Sequence, residues 1–217
     1  MRGRLRLVFG RPEPIEAPAP TVGELASPAL VEFVAYAEDR ILSGQLALDA
    51  DRLTDLLNDH EEIVLLDVLA TDLRNGEGRG LPELQVARDE LLLVHATGPR
   101  GPRARRVRTI RFPVALKTGP FDVRGYLHCL PGSKPWESFR RRRTMVPVTD
   151  AWIEHELAGT RQRRRVETLI VNRRGVDWIV EATGDEVEHP GLPLHTLRSP
   201  LSKDRTGHAP KGTTGAA

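Results

Sequence analysis

The amino-acid sequence predicts a mainly β protein: two tandem repeats of a small, strongly bent antiparallel β-barrel-like domain, each with one short helix, flanked by disordered termini. The first observation is an internal repeat in preserved order, whose offset drifts only from 81 to 86 residues. The second is a series of short alternating runs that are typical of strands, and the third is one short run at helical spacing in each repeat. The repeated segments are residues 41–46 with 122–127, 64–67 with 147–150, and 83–98 with 167–184.

Five strands are predicted in each repeat, because short alternating or β-branched runs are separated by polar turns. Gly44 indicates a bend or bulge in the second strand, and Pro113 favours an edge or bulge position for the sixth. The last two strands of each repeat are expected to form a hairpin-like pair. The ten strands are predicted at residues 31–36, 41–48, 63–69, 84–88 and 91–96, and at residues 107–116, 123–130, 145–148 with 151–153 as an extension, 168–171 and 176–180.

The helix of each repeat follows the second strand. Leu53, Leu56 and Leu57 share one helical face, and Trp136 and Phe139 take the corresponding places in the second repeat. The two cores are predicted at matching apolar positions, which are Leu46 with Leu127, Leu65 with Val148, Val86 with Ile170, and Val94 with Val180.

Composition and charge divide the chain into five regions. Residues 1–27 are rich in proline and predict a disordered arm, and residues 185–217 predict a disordered tail. Residues 28–98 form the acidic first repeat and residues 107–184 the basic second, joined by an Arg/Pro/Gly linker at 99–106. The net charge is −9 over residues 1–97 and +13 over residues 98–175. Either the acidic repeat packs against the basic one, or the basic face binds an external polyanion.

The composition also favours a cytoplasmic protein without a membrane span. No run approaches the ~18 apolar residues that a membrane helix needs. The single cysteine, Cys129, excludes an internal disulfide framework and fits a reducing compartment.

Two short segments resemble Sm-like small β-barrels. These are Gly44-Gln45-Leu46 and Gly125-Tyr126-Leu127, each of which follows a polar turn. The resemblance implies a barrel topology, but the RNA-contacting residues of that family have no match here. Residues 52–58, 147–151 and 171–176 are similar to the segments RLxDLLN, P-L/V-T-D-A and V-N-R-x-x-I/V of bacterial proteins of uncharacterised function, which implies no activity.

No catalytic, cofactor or metal site is predicted. The glycine cluster at residues 75–80 lacks the lysine of a phosphate-binding loop. His128 and Cys129 are neighbours that would point to opposite faces of a strand, so they cannot converge on a metal. Asp67 and Asp150 occupy equivalent positions, and we expect each to accept hydrogen bonds from turn amides at a strand end.

Arginine clusters are the candidate polyanion-binding or partner-binding surface. Several cations must act together to neutralise phosphates, and Trp136, Trp152 and Tyr126 could offer stacking faces nearby. The alternative is an ordinary solvated surface in an arginine-rich protein. The candidate residues are Arg105, Arg106, Arg108, Arg140, Arg141, Arg142, Arg143, Arg163, Arg164 and Arg165.

Three function classes follow from these observations. The favoured one is a non-catalytic interaction or scaffold protein, which binds a protein partner or itself through duplicated β-domains. The first alternative is nucleic-acid (RNA) binding through the Arg-rich face of the second repeat. The second alternative is a small-ligand regulatory domain, although the R-x-x-x-R and D-x-S-x-x-G segments of bis-nucleotide sensors are missing.

Overall fold

The computed structural model describes residues 28–97, here called the first half, and residues 107–189, the second half. The predicted arm at 1–27, the linker at 99–106 and the tail beyond residue 189 lie outside the described residues. The described part is mainly β, with three short helices. In chain order the elements are β1 Ala29–Tyr36, β2 Arg40–Leu48, α1 Leu53–Asp59, β3 Glu62–Asp72, β4 Gly78–Ala87, β5 Leu93–Ala96, β6 Ile110–Thr118, β7 Phe121–Cys129, α2 Pro135–Arg141, β8 Met145–Leu157, β9 Thr160–Asn172, β10 Val176–Glu181 and α3 Gly184–Glu188.

All ten strands belong to one antiparallel sheet, in the order β10-β6-β7-β8-β9-β5-β1-β2-β3-β4. The first half contributes the block β5-β1-β2-β3-β4, and the second half contributes β10-β6-β7-β8-β9. The two blocks join where β5 pairs with β9. The sheet is not closed, because β10 and β4 lie at its two ends, so the predicted barrel-like form is not confirmed.

The prediction that the last two strands of each half form a hairpin is wrong. A 3₁₀ turn at Arg88–Glu90 separates β4 from β5, which pairs with β1 and β9 instead. In the same way, β10 pairs with β6 rather than with β9. The physical reason is that a polar turn within a hairpin and a polar turn that leads the chain to a different part of the sheet have the same composition.

The start of the predicted disordered tail is also wrong, because residues 185–188 belong to α3. Thr183 and Glu186 form a reciprocal capping box: the Thr183 hydroxyl accepts from the Glu186 N–H, and the Glu186 carboxylate accepts from the Thr183 N–H. This cap satisfies amides that would otherwise lack partners at the start of the helix.

Two matching irregularities interrupt the regular strand pairing. The pairing of β2 with β3 shifts between Ser43 and Gln45, and the pairing of β7 with β8 shifts between Arg124 and Tyr126. The bend or bulge predicted at Gly44 is confirmed as a register shift at that residue. The extra residues on the facing strands are Asp67 and Asp150, with φ of 50° and 49°. These aspartates lie within strands rather than at strand ends, because a bulge needs a residue that tolerates the left-handed region.

Each half has its own apolar core, and each core takes side chains from the other half. The first core includes Met145 and Ile170 of the second half. The second core includes Tyr36, Leu73 and Leu93 of the first half. The predicted core positions are buried, except that Val180 is half-buried. The predicted face of α1 is buried at Leu53, Leu56 and Leu57, whereas in α2 Phe139 is buried and Trp136 is half-buried.

Candidate functional site

The two halves meet along β5 and β9, where the backbone ladder is short. Leu93 pairs with Val171 and Val94 with Ile170. The Asn172 N–H extends the ladder by donating to the Leu92 carbonyl at 2.9 Å. Since so few backbone bonds join the halves, their side chains must supply much of the stability of this junction.

Four aromatic or imidazole rings lie at the junction, and we call Tyr36, His95, Phe121 and His155 the junction cluster. The Tyr36 ring centroid lies 5.3 Å from that of Phe121, 5.9 Å from His155 and 6.0 Å from His95. Tyr36 is 1% exposed and Phe121 is fully buried. Tilted and edge-on contacts of this kind stabilise by roughly 0.5–1.5 kcal/mol each beyond simple burial.

Both imidazoles of the junction cluster resist protonation. His155 is 8% exposed, and neither ring nitrogen has a hydrogen-bond partner among the described residues. Burial lowers the pKa of His155. Burial, with the nearby charge of Arg164, lowers the pKa of His95 to about 4. A proton on either ring would place a charge inside an apolar contact.

We therefore expect acidification to destabilise the junction. The unfolded chain binds a proton at each histidine near pH 6.5, whereas the folded chain does so at lower pH. Between pH 6.5 and about 4 the unfolded state binds more protons, so the free energy of unfolding falls as the pH is lowered through this window. Urea unfolding at several pH values checks this expectation. The double variant His95→Phe/His155→Phe should lose part of the slope between pH 6.5 and 5, because burial also lowers the pKa of His128, and an unchanged slope would contradict the assignment.

Polar contacts also join the acidic half to the basic half. The Arg143 guanidinium lies 2.5 Å from the Asp59 carboxylate, and Arg174 lies 2.9 Å from Asp89. The Asn58 side chain donates to the Met145 carbonyl and accepts from the Met145 N–H, both at 3.0 Å. Part of the charge asymmetry is thus satisfied within the chain. Because both ion pairs are exposed, each contributes little beyond orientation.

A wide groove of about 1570 Å³ lies where the strand-connecting turns of both halves meet. Its charged side chains largely pair with one another: Asp39 with Arg40, Asp122 with Lys117, and Glu154 with Arg161. Within the described residues, no group of three or more His, Cys, Asp or Glu side chains is placed to hold a metal ion. The groove is therefore an ion-paired surface without an evident set of converging ligands.

The arginines of α2 and the segment after it face different partners. Arg140 and Arg141 are exposed. Arg142 donates to the His128 carbonyl, and Arg143 pairs with Asp59. This leaves two of the four outside the hydrogen bonds that hold the fold together.

The arginines of β9 are largely used within the second half. Arg163 pairs at 3.0 Å with the buried Glu154. Burial tends to raise the pKa of Glu154, but hydrogen bonds from Arg161 and Arg163 outweigh it and leave the pKa lowered. Arg165 lies over the Trp152 ring, 5.9 Å from its centroid.

The predicted arginine face is not continuous. The α2 group precedes the start of β8, whereas the β9 group pairs with the far end of β8, Glu154 opposite Arg163. Val146 and Glu154 are eight residues apart, which is roughly 26 Å along a strand. The charge of Arg164 lies near the junction, where it adds to the lowering of the His95 pKa and opposes the rise that burial causes in the pKa of Tyr36. Arg108 is exposed before β6, and Arg105 and Arg106 lie outside the described residues.

The residues considered for catalysis have separate surroundings. His128 hydrogen-bonds to Thr149 at 2.7 Å and to Thr109 at 3.0 Å. Cys129 is fully buried in the second core, on the opposite face of β7. The Asp150 carboxylate pairs with Arg111. His128 and Cys129 thus do not face one cavity.

The free edge of β4 combines an apolar face with an acidic one. Leu84 and Val86 are buried in the first core, while Glu83 and Gln85 alternate with them and are exposed. Among the described strands, β4 pairs with β3 alone. Composition could not distinguish this edge from an interior strand, because alternation of apolar and polar residues is common to both.

The β10 end of the sheet is covered on one face by α3. Ala182 and Val187 pack with Ala115, against Trp178 and Val180. The Arg124 guanidinium donates to the Glu186 carbonyl at 3.3 Å. The two ends of the sheet therefore differ: α3 packs on β6 and β7 next to β10, and no described helix packs in this way next to β4.

No family model, curated protein or solved structure matches this chain. None of the described helices is long and apolar enough to cross a membrane.

Proposed function

We propose that the chain is a non-catalytic interaction protein made of two copies of one five-stranded unit, and that it binds a protein partner by accepting a strand of that partner along β4. The shared order of strands in the two halves supports the duplication. Gly44 and Gly125 lie on the second strand of their halves, each opposite a left-handed aspartate. This register makes Val86 equivalent to Val171, and Val94 equivalent to Ile179. Each match is one residue away from the one predicted from the internal repeat of the sequence.

One observation carries the proposal: the chain already accepts a strand at the equivalent edge. Ile170 and Val171 of β9 pair with β5, and their equivalents in β4 are Gln85 and Val86. The backbone of β4 at these residues has the same pairing to its inner neighbour as β9 has. An extended segment can therefore add antiparallel to β4, with main-chain hydrogen bonds supplying affinity.

The other end of the sheet is less suited to this role. The equivalents of Leu93 and His95 are Trp178 and Val180, and these two pack against the cluster of Ala115, Ala182 and Val187, to which α3 contributes Val187. Unpaired strand edges are templates for association, and coverage by a helix is one way in which proteins limit it. The difference between the ends favours β4 as the binding edge.

A second copy of the chain is a poor occupant for β4. At the internal junction, Met145 and Ile170 pack into the neighbouring core, but their equivalents at the free edge are Glu62 and Gln85. Similarly, the buried Tyr36 is matched by Lys117 at the β10 end. Head-to-tail stacking of copies would bury these polar groups without their water, which costs free energy. This contrast favours a different protein over a repeating array.

The test is the substitution Gln85→Pro, which removes the N–H that the β9 geometry directs towards an added strand. Chains are coupled to a resin and exposed to extract from the cells of origin, and retained proteins are quantified by mass spectrometry. We expect a partner that is retained by the wild-type chain and reduced at least tenfold by Gln85→Pro. Gln85→Thr is the matched control, because it keeps the N–H and a β-forming side chain.

Retention of the same partner by Gln85→Pro, with an unchanged melting temperature, would show that β4 is not the binding edge. If Gln85→Pro does reduce retention, the purified partner must also protect the amides of residues 83–87 from hydrogen exchange, since co-purification by itself does not locate a contact.

RNA binding is the weaker candidate. Arg163, Arg165 and Arg143 already contact Glu154, Trp152 and Asp59. Arg140 and Arg141 are exposed but stand apart from the β9 group. Micromolar binding of RNA with a steep salt dependence, abolished by Arg140→Ser/Arg141→Ser, would favour this function instead.

A further inference from the structure

The surroundings of the β4 edge specify which kind of strand it accepts. We infer that the occupant is an extended segment of a partner protein in which arginine or lysine alternates with apolar residues. This inference rests on the proposed function and adds the chemistry of the partner to it.

Charge is the first argument. Glu61, Glu62 and Glu83 are exposed around the strand-accepting residues, and none of the three forms an ion pair among the described residues. The cations that flank Glu83 along the chain are Arg79, four residues before it in β4, and Arg88, which is buried and lies 3.0 Å from Asp89. The edge therefore presents unneutralised carboxylates, and a basic segment would meet a complementary field.

Alternation is the second argument. Glu83 and Gln85 share the outer face of β4 with Glu62 of the neighbouring strand, since Gln85 donates a hydrogen bond to the Glu62 carboxylate. Leu84 and Val86 occupy the inner face, within the first core. Side chains directly opposite on adjacent strands lie about 4.5–5.5 Å apart. A basic side chain of an added strand would thus lie opposite Glu83, with Glu62 one strand further in on the same face, while its alternate residues extend the apolar face.

The internal junction provides the contrast that makes this edge selective. There the outer face of the accepting strand carries Ile170, which packs into the first core beside Val94. The corresponding residue of β4 is Gln85, so the edge does not recognise an apolar outer face. An acidic segment would also be disfavoured, because like charges directly opposite on neighbouring strands are destabilising.

The experiment uses the full chain and three labelled peptides of eight residues, with binding followed by fluorescence polarisation. The first peptide alternates arginine with valine, the second alternates glutamate with valine, and the third has the composition of the first with its arginines grouped. We expect the first to bind at least tenfold more tightly than the other two and to weaken as salt is raised.

Two pairs of substitutions locate the binding. Glu62→Lys/Glu83→Lys should weaken the alternating basic peptide at least tenfold. The control Glu137→Lys/Glu156→Lys makes the same change in net charge at exposed positions away from β4, and should have less than a threefold effect. A chain lacking residues 1–27 is titrated in parallel, because Arg2, Arg4 and Arg6 carry the same charge as the probe.

The outcomes separate this inference from the proposed function. If the acidic and basic alternating peptides bind equally and both need the Gln85 N–H, strand addition stands and the basic specificity is overturned. If the grouped-arginine peptide binds as well as the alternating one, the attraction is a non-specific charge effect and the inference fails. If neither the full nor the truncated chain binds any peptide, or if Gln85→Pro has no effect on binding, both proposals fail.

Discussion

Replacing Tyr36 by alanine is expected to lower the free energy of unfolding by about 3–5 kcal/mol, the range for removal of a large buried aromatic side chain. Tyr36 belongs to the first half, but its ring packs against Phe121 and His155 of the second. Its loss would leave a cavity at the site where the backbone ladder is shortest. For a chain of this size the melting temperature should fall by roughly 6–20 °C.

Tyr36→Phe is the matched control. The Tyr36 hydroxyl and His95 Nε2 are 3.5 Å apart, which is a long contact for a hydrogen bond. We therefore expect the phenylalanine variant to lose less than about 1 kcal/mol. Denaturant unfolding of both variants checks the prediction. Similar losses for the two would mean that the hydroxyl, rather than the packed ring, stabilises the junction.

The second large effect is expected at Gly44. A Cβ there would lie 2.7 Å from the Leu66 carbonyl oxygen, and that backbone is fixed in the bulge around Asp67. Gly44→Ala should destabilise the protein by about 1–3 kcal/mol, because the facing strand must move to accept the methyl group. In Gly80→Ala the added Cβ meets no atom within 4 Å. Equal melting temperatures of the two variants would show that the close approach is relieved at little cost.

The sequence predicts local structure well wherever side-chain period alone decides it. The leucines of α1 recur at helical spacing, and the predicted face is buried. The bend at Gly44 is also predicted correctly, because a glycine inside an alternating run has few other roles. Asp67 and Asp150 are expected at strand ends, but both lie within strands in the left-handed region. An aspartate in the sequence does not indicate whether it lies in a bulge or at a strand end.

The pairing of distant strands is where prediction from the sequence fails. A strand is predicted at residues 91–96 and found as β5 at Leu93–Ala96, yet its neighbours are β1 and β9 rather than β4. Alternation determines which face of a strand is buried but not which strand lies beside it. The arginine clusters illustrate the same limit. Arg140 and Arg163 both flank β8, and the length of that strand separates them.

The candidate binding edge is missed for a related reason. Glu83 and Gln85 are visible in the sequence as polar positions of an alternating run, but alternation also occurs in β1, which is paired on both sides. What distinguishes β4 is the absence of a further described neighbour, a property of the whole sheet. The polar Glu62 at the position equivalent to Met145 is a signal that becomes visible once the register is known.

The short ladder between β5 and β9 has a consequence for the order in which the chain acquires its structure. Most strand pairs join neighbours along the chain, such as β1 with β2 and β8 with β9, whereas the β5–β9 contact unites Leu93 with Val171 across a long stretch of chain. Closing such a long loop costs more entropy than closing a hairpin, so local pairs should form before the halves dock. The junction cluster would then be largely unformed in the folding transition state. Weakening it should mainly accelerate unfolding and leave the folding rate nearly unchanged, so the lifetime of the native protein depends on the contact that forms last.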